Sequence, residues 1–172
     1  MGNMLNVKTV AFFGHSKIYR DIDEELDQLL RELISKNEYV EFLVGRNGDF
    51  DRFVSSAIRR LKKEGRDENF SHILVLQYMT AEFRDSKETF YQYYDEIEVN
   101  DSVHPKRAIL DRNKKMIDRA DFVVCYIEHF HGGAYQSIRY AQKSEKEIIN
   151  LFPLNSLCTT EAASAIDSIN FS

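Results

Sequence analysis

Asp121-Phe-Val-Val-Cys-Tyr-Ile-Glu-His-Phe-His-Gly-Gly-Ala-Tyr-Gln-Ser-Ile-Arg-Tyr140 carries an apolar run through a glycine pair into a helical pattern. The run from Asp121 to Ile127 reads as a strand of the kind covered on both faces. Gly132 and Gly133 let the backbone turn sharply and approach a ligand. The helix start that follows offers N–H groups and a positive dipole end to an anion, so phosphate or carboxylate is the natural guest. Working outward, Phe42-Leu-Val-Gly-Arg-Asn-Gly-Asp-Phe-Asp51 is a second such junction, and Phe12-Phe-Gly-His15 a third. Three glycine-bearing strand ends in one small chain argue for a nucleotide-like ligand.

Between these junctions strand and helix alternate. Val7–Phe13 reads as a first strand, and Asp21 with Glu24 is a capping pattern before an amphipathic helix through Leu26, Leu29, Leu30 and Leu33. Tyr39–Val44 is a second strand, followed by a helix opened by Asp49 or Asp51. Ile73–Tyr78 is a third strand. From Met79 to Lys106 the regularity fails, with Tyr91, Tyr93 and Tyr94 among acidic residues; a long irregular connection of this kind is commonly a lid or a surface excursion. A helix over 111–120, the strand at 121–127, a helix over 134–143 and a fifth strand at 147–152 complete the pattern, and the tail after Pro153 has the composition of a terminal helix. The expectation is α/β: a Rossmann-like, doubly wound, mostly parallel sheet of about five strands with helices on both faces, its ligand at the carboxyl ends of the strands.

A length of 172 residues suits one domain, and 43% hydrophobic with 30% charged residues is an ordinary globular balance. The formal net charge of -5 argues against nucleic acid as the main partner, although a local basic patch escapes that argument. Two cysteines make no disulfide scaffold, and no apolar run reaches the length of a membrane span or has the form of a signal peptide. A cytoplasmic location and no membrane partner are expected.

Several side chains at the junctions bear chemistry. His15 projects into the crevice, where an imidazole donates to phosphate or acts as acid or base; a turn histidine equally satisfies backbone. Gly45, Arg46 and Gly48 precede Asp49 and Asp51, which repel a phosphate and suit helix capping or ribose hydroxyls. Arg112 and Asn113 open a helix, where arginine can hold a phosphate in bidentate fashion or simply be solvated. Glu128, His129 and His131 lack the spacing of a metal centre, and no metal or cofactor is expected. The loop tyrosines either stack on a base or cover the core edge. No activated serine or cysteine is present, so the sequence supports binding more firmly than catalysis.

Taken together, Phe12-Phe-Gly-His15, Val44-Gly-Arg-Asn-Gly-Asp-Phe-Asp51, Arg112-Asn-Lys-Lys-Met116 and the Asp121–Ala141 segment resemble the SLOG superfamily, which includes the Smf/DprA and Lonely-guy proteins. The look is that of its small single-domain bacterial members, over about residues 7–152. The resemblance implies a crevice for a nucleotide or nucleotide-derived small molecule, lined by Gly14, His15, Gly45, Arg46, Gly48, Asp51, Arg112, Asn113, Gly132, Gly133 and Ala134, in a homo-oligomer that senses or sequesters its ligand. Lonely-guy enzymes cleave nucleoside monophosphates with a Pro-Gly-Gly-x-Gly-Thr turn followed by a glutamate. Here the turn is His131-Gly-Gly-Ala-Tyr-Gln-Ser137, and no acidic residue lies in Ala134–Ala141. An N-glycosidase of phosphoribohydrolase type, the alternative reading, therefore needs Glu96 or Glu98 as its carboxylate. A protein interaction module is the third.

Overall fold

The structure, a computed structural model, describes residues 4–65, 69–102 and 104–152. Six strands, β1 (Val7–Gly14), β2 (Tyr39–Val44), β3 (Phe70–Leu76), β4 (Glu96–Val99), β5 (Phe122–Tyr126) and β6 (Glu147–Asn150), form one sheet in the order β4-β3-β2-β1-β5-β6. Every neighbouring pair is parallel. The helices are α1 (Asp23–Lys36), α2 (Asp49–Lys63), α3 (Ala81–Asp85), α4 (Lys87–Tyr93), α5 (Ala108–Arg119) and α6 (Gly133–Lys143). The Rossmann-like α/β expectation holds.

The period-two geometry of β1 explains the two layers. Val10 and Phe12 face a core built with Leu26, Leu30, Val54, Ile58 and Leu61 of α1 and α2. Ala11 and Phe13 face the opposite core, with Met116, Ile117, Ile138 and Ala141 of α5 and α6. Helices thus cover both faces, and β3 is buried along its whole length.

The segment read as irregular holds two short helices, α3 and α4, and the strand β4. Its aromatics pack inward: Phe83 and Phe90 meet edge-on, and Tyr94 is buried against His72. Tyr93 carries Arg59 over its ring at 3.9 Å. These tyrosines cover the core edge, whereas Tyr91 stays exposed.

The direction in which successive strands are added across the sheet reverses between β1 and β5. From β1 the order runs outward through β2, β3 and β4, while β5 and β6 lie on the other side. Such a switch point leaves a crevice beyond the strand ends, because the connections leave it in opposite directions. Among the described residues no helix is long and apolar enough to cross a membrane. The terminal helix expected after Pro153 lies outside the described residues.

Candidate functional site

Beyond β1 and β5 opens a cavity of about 480 Å³. Its wall brings together Gly14, His15, Gly48, Asp51, Arg112, Asn113, Gly132, Gly133 and Ala134, with Lys17, Tyr19 and Asn47 at its side. Gly45 lies behind this wall, close to both Asp51 and Arg112. Arg46 turns elsewhere: it pairs with Glu82 at 2.6 Å and lies over the Phe90 ring. Glu96 and Glu98 sit on β4 at the sheet edge, apart from this cavity, and Glu98 pairs with Arg119 at 2.6 Å.

Gly132 is the N-cap of α6 with φ 92°, a conformation that glycine adopts without strain. No side chain caps α6 and its first turn has no acidic residue. The N–H groups of Gly133 and Ala134 therefore border the cavity beside the positive end of the helix dipole.

A polar chain fixes this turn relative to Arg112. The Arg112 Nε and Nη2 donate to Asn113 Oδ1 at 3.0 and 2.8 Å. Asn113 Nδ2 donates to Ser137 Oγ at 2.9 Å, and that hydroxyl donates to the Gly133 carbonyl at 3.0 Å. Arg112 Nη1 also donates to the Val75 carbonyl at 3.3 Å. With its amide oxygen turned toward the guanidinium, Asn47 accepts at 2.9 and 3.1 Å. The fork is thus held by neutral acceptors, and its contribution to the crevice is a fixed buried charge more than a bidentate grip. Burial lowers the Arg112 pKa, opposed by the Asp51 charge, yet a guanidinium keeps its proton.

Asp49 and Asp51 do not cap α2, whose N-cap is Gly48. Asp49 Oδ2 accepts from the Ile18 N–H at 3.0 Å and Asp51 Oδ2 from the Asn47 N–H at 2.7 Å, so each ties a strand-end loop to the helix. Loss of water around Asp51 pushes its carboxyl pKa up, against the lowering pull of Asn47 and Arg112.

Three histidines stack at the mouth. The rings of His15 and His129 lie 3.6 Å apart, and those of His129 and His131 4.0 Å apart. Nε2 of His15 accepts from the Glu128 N–H at 3.1 Å, which leaves the proton on Nδ1. Burial and then the neighbouring His129 hold the His15 pKa below its ordinary value, with Glu128 pulling the other way. Stacked rings do not converge their nitrogens on one point, and among the described residues no group of three His, Cys, Asp or Glu is arranged to hold a metal ion. Tyr19, in the cavity wall, is 85% exposed; Phe130, on the loop between β5 and α6, is 65% exposed and packs edge-on against Tyr135.

Sequence reading missed Ser137, Lys17 and Tyr19. Ser137 stands four residues after Gly133, on the helix face that α5 covers, a spacing that its polarity alone does not flag. Lys17 and Tyr19 lie in the loop after β1, where no periodicity applies.

A parallel sheet with a polar, glycine-rimmed crevice at its switch point defines a Rossmann-like α/β fold. Its fold is similar to that of DNA processing protein A. The structure is similar to that of the Helicobacter pylori protein, with TM-score 0.62 and 17% identity over 93% of this chain and 72% of that one. It is also similar to DprA from Streptococcus pneumoniae, with TM-score 0.64 and 13% identity over 93% of this chain and 56% of that one. No protein-family model matches the chain, and no curated protein matches its sequence.

The Helicobacter pylori protein is described by its single-stranded DNA binding mode. That finding overturns the expectation of a nucleotide-derived small molecule as the ligand. It equally overturns the exclusion of nucleic acid as main partner. The physical reason is that net charge reports the average field, whereas a strand lying in a crevice meets only the local one.

Proposed function

We propose that this chain is a cytoplasmic binder of single-stranded nucleic acid, holding a backbone phosphate at the Gly132-Gly133 turn and stacking bases on the rings beside it. The observation that carries the reading is exposed Tyr19 in the wall of a crevice that contains the buried charge of Arg112 and the uncapped start of α6, with exposed Phe130 on the loop that leads into that helix. A small-molecule site encloses its ligand, whereas strand binding joins a cationic groove to open aromatic platforms. The likeness to the DNA processing proteins supports the same direction.

Fluorescence anisotropy of a labelled oligothymidylate, with the matching duplex as competitor, tests this. The single strand binds and the duplex competes poorly. Tyr19→Ala and Phe130→Ala each weaken binding by about fivefold or more, since a stacked base contributes about 1–3 kcal/mol. No measurable binding by the unmodified protein, or full affinity in both variants, overturns the reading.

A further inference from the structure

A second cavity of about 270 Å³ shares Arg112 with the crevice and opens between β4 and α5, lined also by Glu98, Asn100, Lys115 and Arg119. Asn100 is 6% exposed, and its backbone N–H is held by the Leu76 carbonyl at 2.8 Å. Its Oδ1 accepts from Lys115 Nζ at 2.5 Å, which fixes the amide orientation. Nδ2 is buried with no partner. A buried amide donor left unsatisfied is destabilising, so the site is short of an acceptor.

The charges around it specify which acceptor. Glu98 is neutralised by Arg119, whose two contacts lie at 2.6 and 2.8 Å. Lys115 makes its hydrogen bond to a neutral amide, and the donors of Arg112 go to neutral oxygens. Lys115 and the unpartnered Asn100 amide group therefore line a cavity whose own carboxylate is already paired, beside the guanidinium of Arg112, whose donors are taken and whose charge Asp51 partly opposes. An oxyanion satisfies the amide and Lys115 directly and gains from the nearby Arg112 charge, because it brings negative charge and several lone pairs at once.

We infer that this second cavity is a phosphate subsite, occupied by another backbone phosphate of the strand that lies in the crevice. The inference rests on the single-strand reading for the source of the phosphate and on Asn100 and Lys115 for the site. Arg112 then stands between two phosphates as their common counter-charge, which gives its buried position a purpose that one crevice alone does not.

Two variants test it: Lys115→Gln on the exposed side and Asn100→Asp, which puts a carboxylate where the donor was. Anisotropy with the oligothymidylate is measured across a salt series, and melting of each protein is followed with and without inorganic phosphate. The expected result is affinity reduced about three- to fivefold in Lys115→Gln, as for an exposed charge pair. Its salt slope is shallower by about 0.7, one phosphate contact. Asn100→Asp loses at least as much. If the unmodified protein binds the strand and both variants keep its affinity and slope, the subsite is overturned while the single-strand reading stands. If no strand binds, yet phosphate raises the melting temperature of the unmodified protein and not of Asn100→Asp, the subsite stands with free phosphate as its occupant and the single-strand reading falls.

Discussion

Gly14 shows how a single missing side chain places the site. It ends β1, and a Cβ built there would lie 2.3 Å from the Phe50 ring. Phe50 is fully buried in the first turn of α2 and cannot swing to solvent. The contact brings α2 against the end of β1 and sets the floor of the crevice. Gly14→Ala should therefore lower stability by about 1–3 kcal/mol, the usual range for overpacking a filled core. Urea denaturation measures it, and an unchanged midpoint would show that Phe50 has room the packing does not reveal.

At the scale of elements, α6 separates stability from binding at two adjacent glycines. Gly132 holds φ 92°, so Gly132→Ala should cost about 1–3 kcal/mol through backbone strain. Gly133 has no such requirement, and a Cβ there meets no atom within 4 Å. Gly133→Ala should leave stability equal or raise it by up to about 1 kcal/mol, since alanine suits a helix better. Its methyl nonetheless occupies the place where a phosphate approaches the helix N–H groups, so strand affinity should fall about tenfold, one charged hydrogen bond's worth. Thermal melts and anisotropy on the two variants check the pair. Equal affinity in Gly133→Ala would move the phosphate away from this turn. The element pattern itself was largely legible, because apolar runs such as Phe122–Tyr126 and helical stripes such as Leu26, Leu30 and Leu33 report burial directly. β3 begins earlier than its hydropathy indicates, at Phe70 instead of Ile73, because Ser71 and His72 are buried polar residues with partners, Tyr39 and Ser55. β4 was missed since a four-residue edge strand alternating Glu-Ile-Glu-Val carries too few positions to separate from a loop. The aspartates read as caps serve loops instead: Asp21 Oδ1 accepts from the Asp23 N–H, and Ile22 is the N-cap of α1. Which side chains converge on a crevice depends on sheet order, and no local spacing encodes that; Ser137 and Asn113 are 24 residues apart and meet only because α5 and α6 pack together.

One buried residue at the centre of the molecule couples the whole fold to acid. His72 lies fully buried on β3, its Nε2 bonded to Ser55 Oγ at 3.0 Å and its ring against Tyr94 at 4.7 Å. Desolvation is the main cause of a pKa pushed down to about 3 from the ordinary 6.5; Asp95 pulls upward, while Lys62 and Arg59 add to the lowering. The folded chain therefore keeps this ring neutral at pH values where the unfolded chain already takes up the proton. Stability from the neutral ring is full above about pH 6.5 and declines as pH falls toward 3, by about 1.4 kcal/mol per pH unit within that window. The group lies in the sheet that joins both cores, so charging it opposes the global fold and not a surface loop. Urea denaturation at a series of pH values measures the slope. His72→Gln should start lower in stability at neutral pH, because its amide replaces a ring packed on Tyr94, yet its decline below pH 6.5 should be shallower by about one proton's worth. A variant that loses stability in acid as steeply as the unmodified protein would show that the titrating group lies elsewhere.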